Sequence, residues 1–199
     1  MSTLSSVTRT ASSKLPTLHG VFNIVVYHSP SDMREHVALL LGKPTSPMLT
    51  RIHSQCLTGD TFGSLKCECG EQLHMSLDMI RERGSGVLLY LNQEGRGIGL
   101  TNKIKAYAHQ ERGLDTVEAN SALGFAPDLR DYRVAADMLR DLGITEVLLL
   151  TNNPRKIKAL KANGIRVAKH IPLETVPHAG NRKYLSVKKR KLGHTLKSV

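Results

Sequence analysis

Three cysteines in one short stretch carry the clearest chemical signal in this sequence. They lie in Arg51-Ile-His-Ser-Gln-Cys56-Leu-Thr-Gly-Asp60-Thr-Phe-Gly-Ser-Leu-Lys-Cys67-Glu-Cys69-Gly. Cys67 and Cys69 form a Cys-x-Cys pair directly before a helical pattern, and Cys56 precedes them across a Gly-containing loop that can fold back. Zinc prefers four tetrahedral ligands, so three converging thiolates would leave one position for water, the arrangement of catalytic sites. Such an ion lowers the pKa of its water from 15.7 to about 7, which supplies a nucleophile at neutral pH. Two other readings compete. His53, just before Cys56, could close the site as a structural Cys₃His centre, and the cysteines could be ordinary core residues. Spacing alone leaves the three open.

Other polar groups stand where a ligand could be met. Glu94-Gly95-Arg96 is a glycine-flanked turn between an apolar strand and a helix, a place where N–H groups and an arginine can hold phosphate oxygens. Glycines 95, 97 and 99 alternate, which is not the G-x-G-x-x-G spacing of dinucleotide sites. Thr151 and Lys156 fall where a strand gives way to a helix N-terminus, the usual ligand edge of an α/β sheet. Pro127-Asp-Leu-Arg130 reads as a turn in which Asp128 and Arg130 can point the same way, and a plain salt bridge or cap is its ordinary meaning. Tyr107 shares a helical stripe with Leu100 and Ile104, and on that ground alone is a core aromatic.

The elements that must position these groups follow from the periodicity. Leu73, Leu77 and Ile80 predict a helix over 72–83 that stops at Gly84, followed by the buried strand 86–91. A helix over 100–112 stops at Gly113. Another over 131–142, with Val134, Met138 and Leu142, stops at Gly143 before the strand 146–150. Asn153 can cap a further helix with Pro154 in its first turn, ended by Asn163-Gly164 before a short strand over 165–168. Strands over 20–27, 37–41 and 48–53 precede all of these. The fold class is therefore mixed α/β (α+β): N-terminal antiparallel strands packed beside an alternating helix/strand layered domain.

Length and composition bound the rest. A chain of 199 residues, 40% hydrophobic, suits one domain, taken as 15–175, with a flexible N-terminal tail over 1–14. No apolar run approaches the roughly 20 residues of a membrane span, and the Ser/Thr-rich start does not read as a secretory signal. Three cysteines cannot pair completely, so a reducing, cytoplasmic setting is expected. The net charge of +11 asks for an anionic partner. Much of it lies in a basic C-terminal tail, 176–199, expected to be solvated and partly disordered; it carries Arg182, Lys183, Lys188, Lys189, Arg190, Lys191 and Lys197.

With these segments in view, the chain resembles the GTP cyclohydrolase II family of riboflavin biosynthesis. The likeness runs through Leu15-Pro-Thr17, the stretch 51–60, Cys67-Glu-Cys69-Gly-Glu-Gln72, Gln93-Glu-Gly-Arg-Gly-Ile-Gly-Leu100, Asn102-Lys-Ile-Lys-Ala-Tyr107, Asp115-Thr-Val-Glu-Ala-Asn120 and Thr151-Asn-Asn-Pro154. The resemblance implies that Cys56, Cys67 and Cys69 are the ligands of one catalytic zinc, leaving His53 beside the substrate. Metal-activated water would then attack C8 of GTP, and a second hydrolysis would release that carbon as formate. It implies that Tyr107 works near the base, and that Arg130 attacks the α-phosphate, assisted by Asp128, to expel diphosphate through a covalent guanylyl intermediate. It assigns Arg51, Ile52, His53, Ser54, Gln55, Gln72, Glu94, Gly95, Arg96, Thr116, Thr151 and Lys156 to GTP contacts. It also implies Mg²⁺ with the triphosphate and a homodimer. The family usually carries Glu where this chain has Gln55, an exchange that keeps an acceptor but loses a charge.

Two other functions stay in view. One is a nucleic-acid-binding protein with a structural zinc; 4% aromatic content, no Trp and no helix-turn-helix or finger spacing speak against it. The other is a degenerate relative, impaired by Gln55, that binds a nucleotide without turnover. The expectation is an enzyme acting on GTP, with no nucleic-acid and no membrane partner.

Overall fold

The computed structural model describes residues 7–199, so the first part of the expected N-terminal tail, residues 1–6, lies outside the described residues. The chain divides into two compact units that interleave along the sequence. Unit 1 comprises residues up to His53, then His74–Asn92 and Asp131–Leu173; unit 2 comprises Ser54–Leu73, Gln93–Arg130 and Glu174–Val199.

Unit 1 is built on one seven-stranded sheet. Its strands are β1 (Thr8–Thr17), β2 (Gly20–Ser29), β3 (Arg34–Leu41), β4 (Met48–Ser54), β5 (Gly86–Leu91), β6 (Glu146–Leu150) and β7 (Arg166–Ile171), in the spatial order β1-β2-β3-β5-β4-β6-β7. The pairs β1–β2, β2–β3 and β3–β5 are antiparallel, whereas β4–β6 and β6–β7 are parallel. The expected antiparallel strands are thus continuous with the parallel part in a single sheet. Residues 8–14, expected within a flexible tail, instead pair along β2 as most of β1, an edge strand whose side chains are largely exposed.

The core of unit 1 gathers Val25, Tyr27, Ile52, Leu89, Leu91, Val147 and Leu149 from the sheet. Val134, Met138 and Leu139 of α5 (Arg133–Asp141) join them, as does Leu160 of α6 (Pro154–Ala162). The start of α6 follows its sequence signals: Asn153 Oδ1 accepts the Arg155 N–H at 2.9 Å, and Pro154 needs no N–H partner in the first turn.

Unit 2 is mostly helical. It holds the single turn α1 (Leu57–Asp60), the first residues of α2 (Cys69–Arg83), a 3₁₀ turn over Glu94–Gly97, α3 (Gly99–Glu111), α4 (Thr116–Ala122) and α7 (Arg182–Leu192). α4 begins with a capping box: Asp115 accepts the N–H groups of Val117 and Glu118, and Glu118 reaches back to the Asp115 N–H. α7 falls inside the basic segment expected as a loosely ordered tail. α3 turns its expected stripe outward. Leu100 and Ile104 are 39% and 48% exposed, and the buried positions of the helix are Lys103 and Ala106. The reason is electrostatic, since Lys103 is drawn inward by two anionic partners.

Among the described residues, no helix is long and apolar enough to cross a membrane.

Candidate active site and metal centre

In unit 2 the three thiols converge. The sulfurs of Cys56, Cys67 and Cys69 all lie within 4.8 Å of one another, and among the described residues this is the group of side chains suited to hold a metal ion, with no imidazole in it. Cys56 Sγ and Cys67 Sγ are 3.8 Å apart. That separation suits two corners of a tetrahedron with metal–sulfur bonds of about 2.3 Å, and it is far from the roughly 2.05 Å of a disulfide. Local folding explains the convergence. α1 turns the chain at once after Cys56, with the Asp60 N–H on the Cys56 carbonyl at 2.7 Å and Asp60 Oδ2 on the Cys56 N–H at 2.9 Å.

Gly59 lines the cluster. A β-carbon there would lie 2.9 Å from Cys67 Sγ, 3.0 Å from Cys69 Cβ and 3.2 Å from Cys56 Sγ. Gly59→Ala should therefore push the sulfurs apart. Overpacking of about 1–3 kcal/mol corresponds to roughly tenfold or more in metal affinity, read by competition with a chelator. Wild-type affinity in that variant would mean that the three sulfurs do not share one ion.

The charges around the trio are arranged to keep a thiolate. Hydrogen bonds from Cys67 and then Cys69 pull the Cys56 pKa well down despite burial. The same contact, with burial, pushes Cys67 up to about 11 and raises Cys69. Lys103 Nζ sits 3.2 Å from Cys56 Sγ and 2.8 Å from Glu94 Oε1. Burial alone would lower the Lys103 pKa, but the bond to Glu94 and the Cys56 anion more than reverse it, so its ammonium is fixed. Glu94 also accepts the N–H groups of Leu57 and Gly95, each at 2.7 Å. These bonds make Glu94 the anchor of the loop beside the thiols. Lys103 is the residue that sequence reasoning missed. Its position four before Tyr107 on one helix face was the available signal.

Tyr107 places its hydroxyl 3.3 Å from Thr58 Oγ1. Burial pushes its pKa up to about 12, against the opposing bond to Thr58 and the charge of Lys103, so it is a proton donor at neutral pH. Asp128 and Arg130 form a two-pronged pair: Nε donates to Oδ1 and Nη2 to Oδ2, both at 2.8 Å, with the Arg130 N–H on Oδ1 at 3.1 Å. Both side chains are largely shielded. The 3₁₀ turn holds Gly95 and Arg96 in the left-handed region, Arg96 at φ 61 and ψ 32. Arg96 reaches the Pro127 carbonyl through Nη1 at 3.5 Å, while its Nη2 is buried with no hydrogen-bond partner among the described residues. Thr116 Oγ1 and Ser54 Oγ are likewise buried without one. Orphaned donors of this kind call for an oxygen-rich ligand. Gln72 Nε2 lies 3.4 Å from Glu68 Oε1, and Gln55 is half-buried beside Cys56.

In unit 1 a second set of candidates meets at the C-terminal ends of two parallel strands, with Arg51 of β4 opposite Leu150 of β6. Arg51 Nη1 donates to the Leu150 carbonyl at 3.1 Å, and Lys156 Nζ to the Ile52 carbonyl at 2.7 Å. Thr151 Oγ1 accepts the Asn153 N–H at 3.0 Å, and the His53 ring stacks on Tyr90 with centroids 5.5 Å apart. The side chain of Ile52 is fully buried in the core, so its carbonyl is what it offers.

Comparison with known proteins adds a separate line of observation. A family model described as GTP cyclohydrolase II matches residues 8–172. The chain is 54% identical over 195 residues to GTP cyclohydrolase-2 of Tolumonas auensis, covering 97% of this chain and 99% of that one. It is 53% identical over 196 residues to GTP cyclohydrolase-2 of Aeromonas hydrophila, covering 98% and 100%. It is also 54% identical over 185 residues to the riboflavin biosynthesis protein RibBA of Bacillus subtilis, covering 92% of this chain and 46% of that protein. The chain therefore spans about half the length of the RibBA proteins it matches and nearly all of the two cyclohydrolases.

Proposed function

This chain belongs to the GTP cyclohydrolase II family, and from that premise we propose that it hydrolyses GTP at two points. It opens the imidazole ring at C8, releases that carbon as formate and cleaves off diphosphate. The product is 2,5-diamino-6-ribosylamino-4(3H)-pyrimidinone 5′-phosphate, the first intermediate of riboflavin synthesis. The observation that carries the reading is the convergence of the Cys56, Cys67 and Cys69 sulfurs. These residues would hold zinc, which when bound supplies Lewis-acid activation of a water at neutral pH.

The chain's own residues have the following roles in this reading. Tyr107 donates a proton near the base. Lys103 donates to Cys56 and ties it to Glu94. Asp128 orients the Arg130 guanidinium and takes its proton as a guanidinium nitrogen attacks the α-phosphorus. The bond from that phosphorus to its bridging oxygen breaks, diphosphate leaves, and water then hydrolyses the guanylyl-arginine. Arg96, Gly95, Thr116, Ser54, Gln55 and Gln72 are the GTP-contact candidates of unit 2, and Arg51, Ile52, His53, Thr151 and Lys156 those of unit 1. Magnesium arrives with the triphosphate, whose charge it partly neutralises. The reading includes a homodimer, checked by a solution mass of two chains, and a cytoplasmic setting that keeps the thiols reduced.

Incubation with GTP, zinc and magnesium tests it. One formate and one diphosphate per GTP, with the diaminopyrimidinone seen by mass spectrometry, is the expected result. A formamide product alone, or tight GTP binding without products, overturns it. Gln55→Glu restores the carboxylate usual in the family and should raise kcat/KM for GTP roughly fivefold, the gain from making one neutral hydrogen bond charge-assisted. Steady-state kinetics at saturating magnesium would read it, and an unchanged kcat/KM would mean that Gln55 does not impair the reaction.

A further inference from the structure

The family match ends at residue 172, ahead of α7. Yet α7 is tied into unit 2 at three points, each next to a candidate site residue. Lys188 Nζ donates to Glu68 Oε1 at 2.5 Å, and Glu68 stands between Cys67 and Cys69. Lys188 also lies 4.8 Å from the ring centroid of Tyr184, and the guanidinium of Arg96 lies 5.7 Å from the same ring. Lys191 pairs with Glu118 at 3.0 Å and with Asp115, the cap residue before Thr116.

The first of these ties bears directly on the metal centre. Glu68 is 2% exposed, and a carboxylate at that depth must be met by a donor or a cation or leave the interior. Leaving would drag along the one residue that joins the two thiols. Gln72 contributes an amide N–H at 3.4 Å, and the cation comes from Lys188, 120 residues away in the chain.

We propose that α7 is a clamp on the metal-binding turn: Lys188 keeps Glu68 inside unit 2 and thereby holds Cys67 and Cys69 in position to share one ion. This rests on the thiol trio being a zinc site, and it makes Lys188 a positioning residue that acts through Glu68.

The test uses the full chain loaded with zinc and follows zinc release to a chromogenic chelator well below the unfolding temperature. Lys188→Met should speed release about 10- to 100-fold, the usual effect of losing a partner that orients metal ligands. Lys188→Arg, which keeps a cation, should restore slow release. Arg190→Gln, which removes a charge from the exposed face of the same helix, should leave release unchanged. In the double variant Glu68→Gln/Lys188→Met the demand for a cation is gone, so release should return most of the way to the wild-type rate. Release from Lys188→Met within twofold of wild type overturns the proposal, as does a double variant that releases zinc as fast as Lys188→Met alone. Should Lys188→Met fail to fold, the double variant decides: slow release supports the clamp and fast release overturns it. Wild-type protein that binds no zinc would sink the functional reading and the clamp with it. Zinc-loaded wild type with an unaltered Lys188→Met would sink the clamp alone.

Discussion

Cys56→Ser is expected to empty the metal centre and to lower GTP turnover on the order of 10³-fold or more. A serine hydroxyl does not ionise near neutral pH and is a poor zinc ligand, so the variant would keep only Cys67 and Cys69, too few for a stable tetrahedral site. The loss is steep because activating water by lowering its pKa is worth several kcal/mol of barrier, and each ~1.4 kcal/mol is tenfold in rate. Cys56 is also the thiol that faces the ammonium of Lys103 at 3.2 Å, so its removal leaves that buried cation to its ion pair with Glu94. Elemental analysis should find less than one tenth of the wild-type zinc, and a formate assay should find residual turnover at most. A variant that keeps full zinc and full activity would mean that the ion is held elsewhere.

Arg130→Lys should abolish diphosphate release, by about 10³-fold or more, as the loss of a covalent nucleophile does. The exchange keeps the charge but not the geometry. Asp128 holds the guanidinium through two parallel bonds at 2.8 Å, which a single ammonium cannot reproduce, and the bond-forming nitrogen would no longer be aimed. If the pair were only an ion bridge bracing the turn, Asp128→Asn/Arg130→Met would be nearly as active as wild type. If the pair is chemical, that double variant should be as inactive as Arg130→Lys. Mass spectrometry of acid-quenched enzyme should find a guanylyl group on the peptide that carries Arg130, and absence of the adduct together with turnover within tenfold of wild type would refute the covalent route.

Much of the scaffold was legible because it is written in local patterns. The strands 86–91 and 146–150 are short apolar runs closed by glycine or a cap, and they appear as β5 and β6 with those bounds. The Asn153-Pro154 start of α6 is a signal that no tertiary contact has to supply. The thiol trio was legible as a possibility, but spacing could not choose between an open site, a Cys₃His site and a plain core; the structure gathers the three sulfurs into a group that could hold a metal, with no imidazole in it. β1 was missed because an edge strand rich in Ser and Thr, with largely exposed side chains, shows no hydrophobic alternation. α7 was missed because its lysines read as solvent-facing, whereas Lys188 is drawn inward by an acid distant in sequence. The outward turn of Leu100 and Ile104 had the same origin in reverse: a buried ion pair at Lys103 decided the rotation of α3 against the apolar stripe. The crossing of the chain back and forth between two units depends on long-range contacts that no local window contains.

Arg96 has a consequence for how this protein could evolve. Its backbone is held in a conformation natural to glycine, at about 1–2 kcal/mol for a residue with a side chain. Glycine at that position would make the loop sturdier and discard its guanidinium. A lineage pressed toward heat tolerance would find the easiest gain at a position that a lineage pressed toward catalysis has reason to refuse. Improvements in robustness that spare the reaction must then come from elsewhere in the molecule.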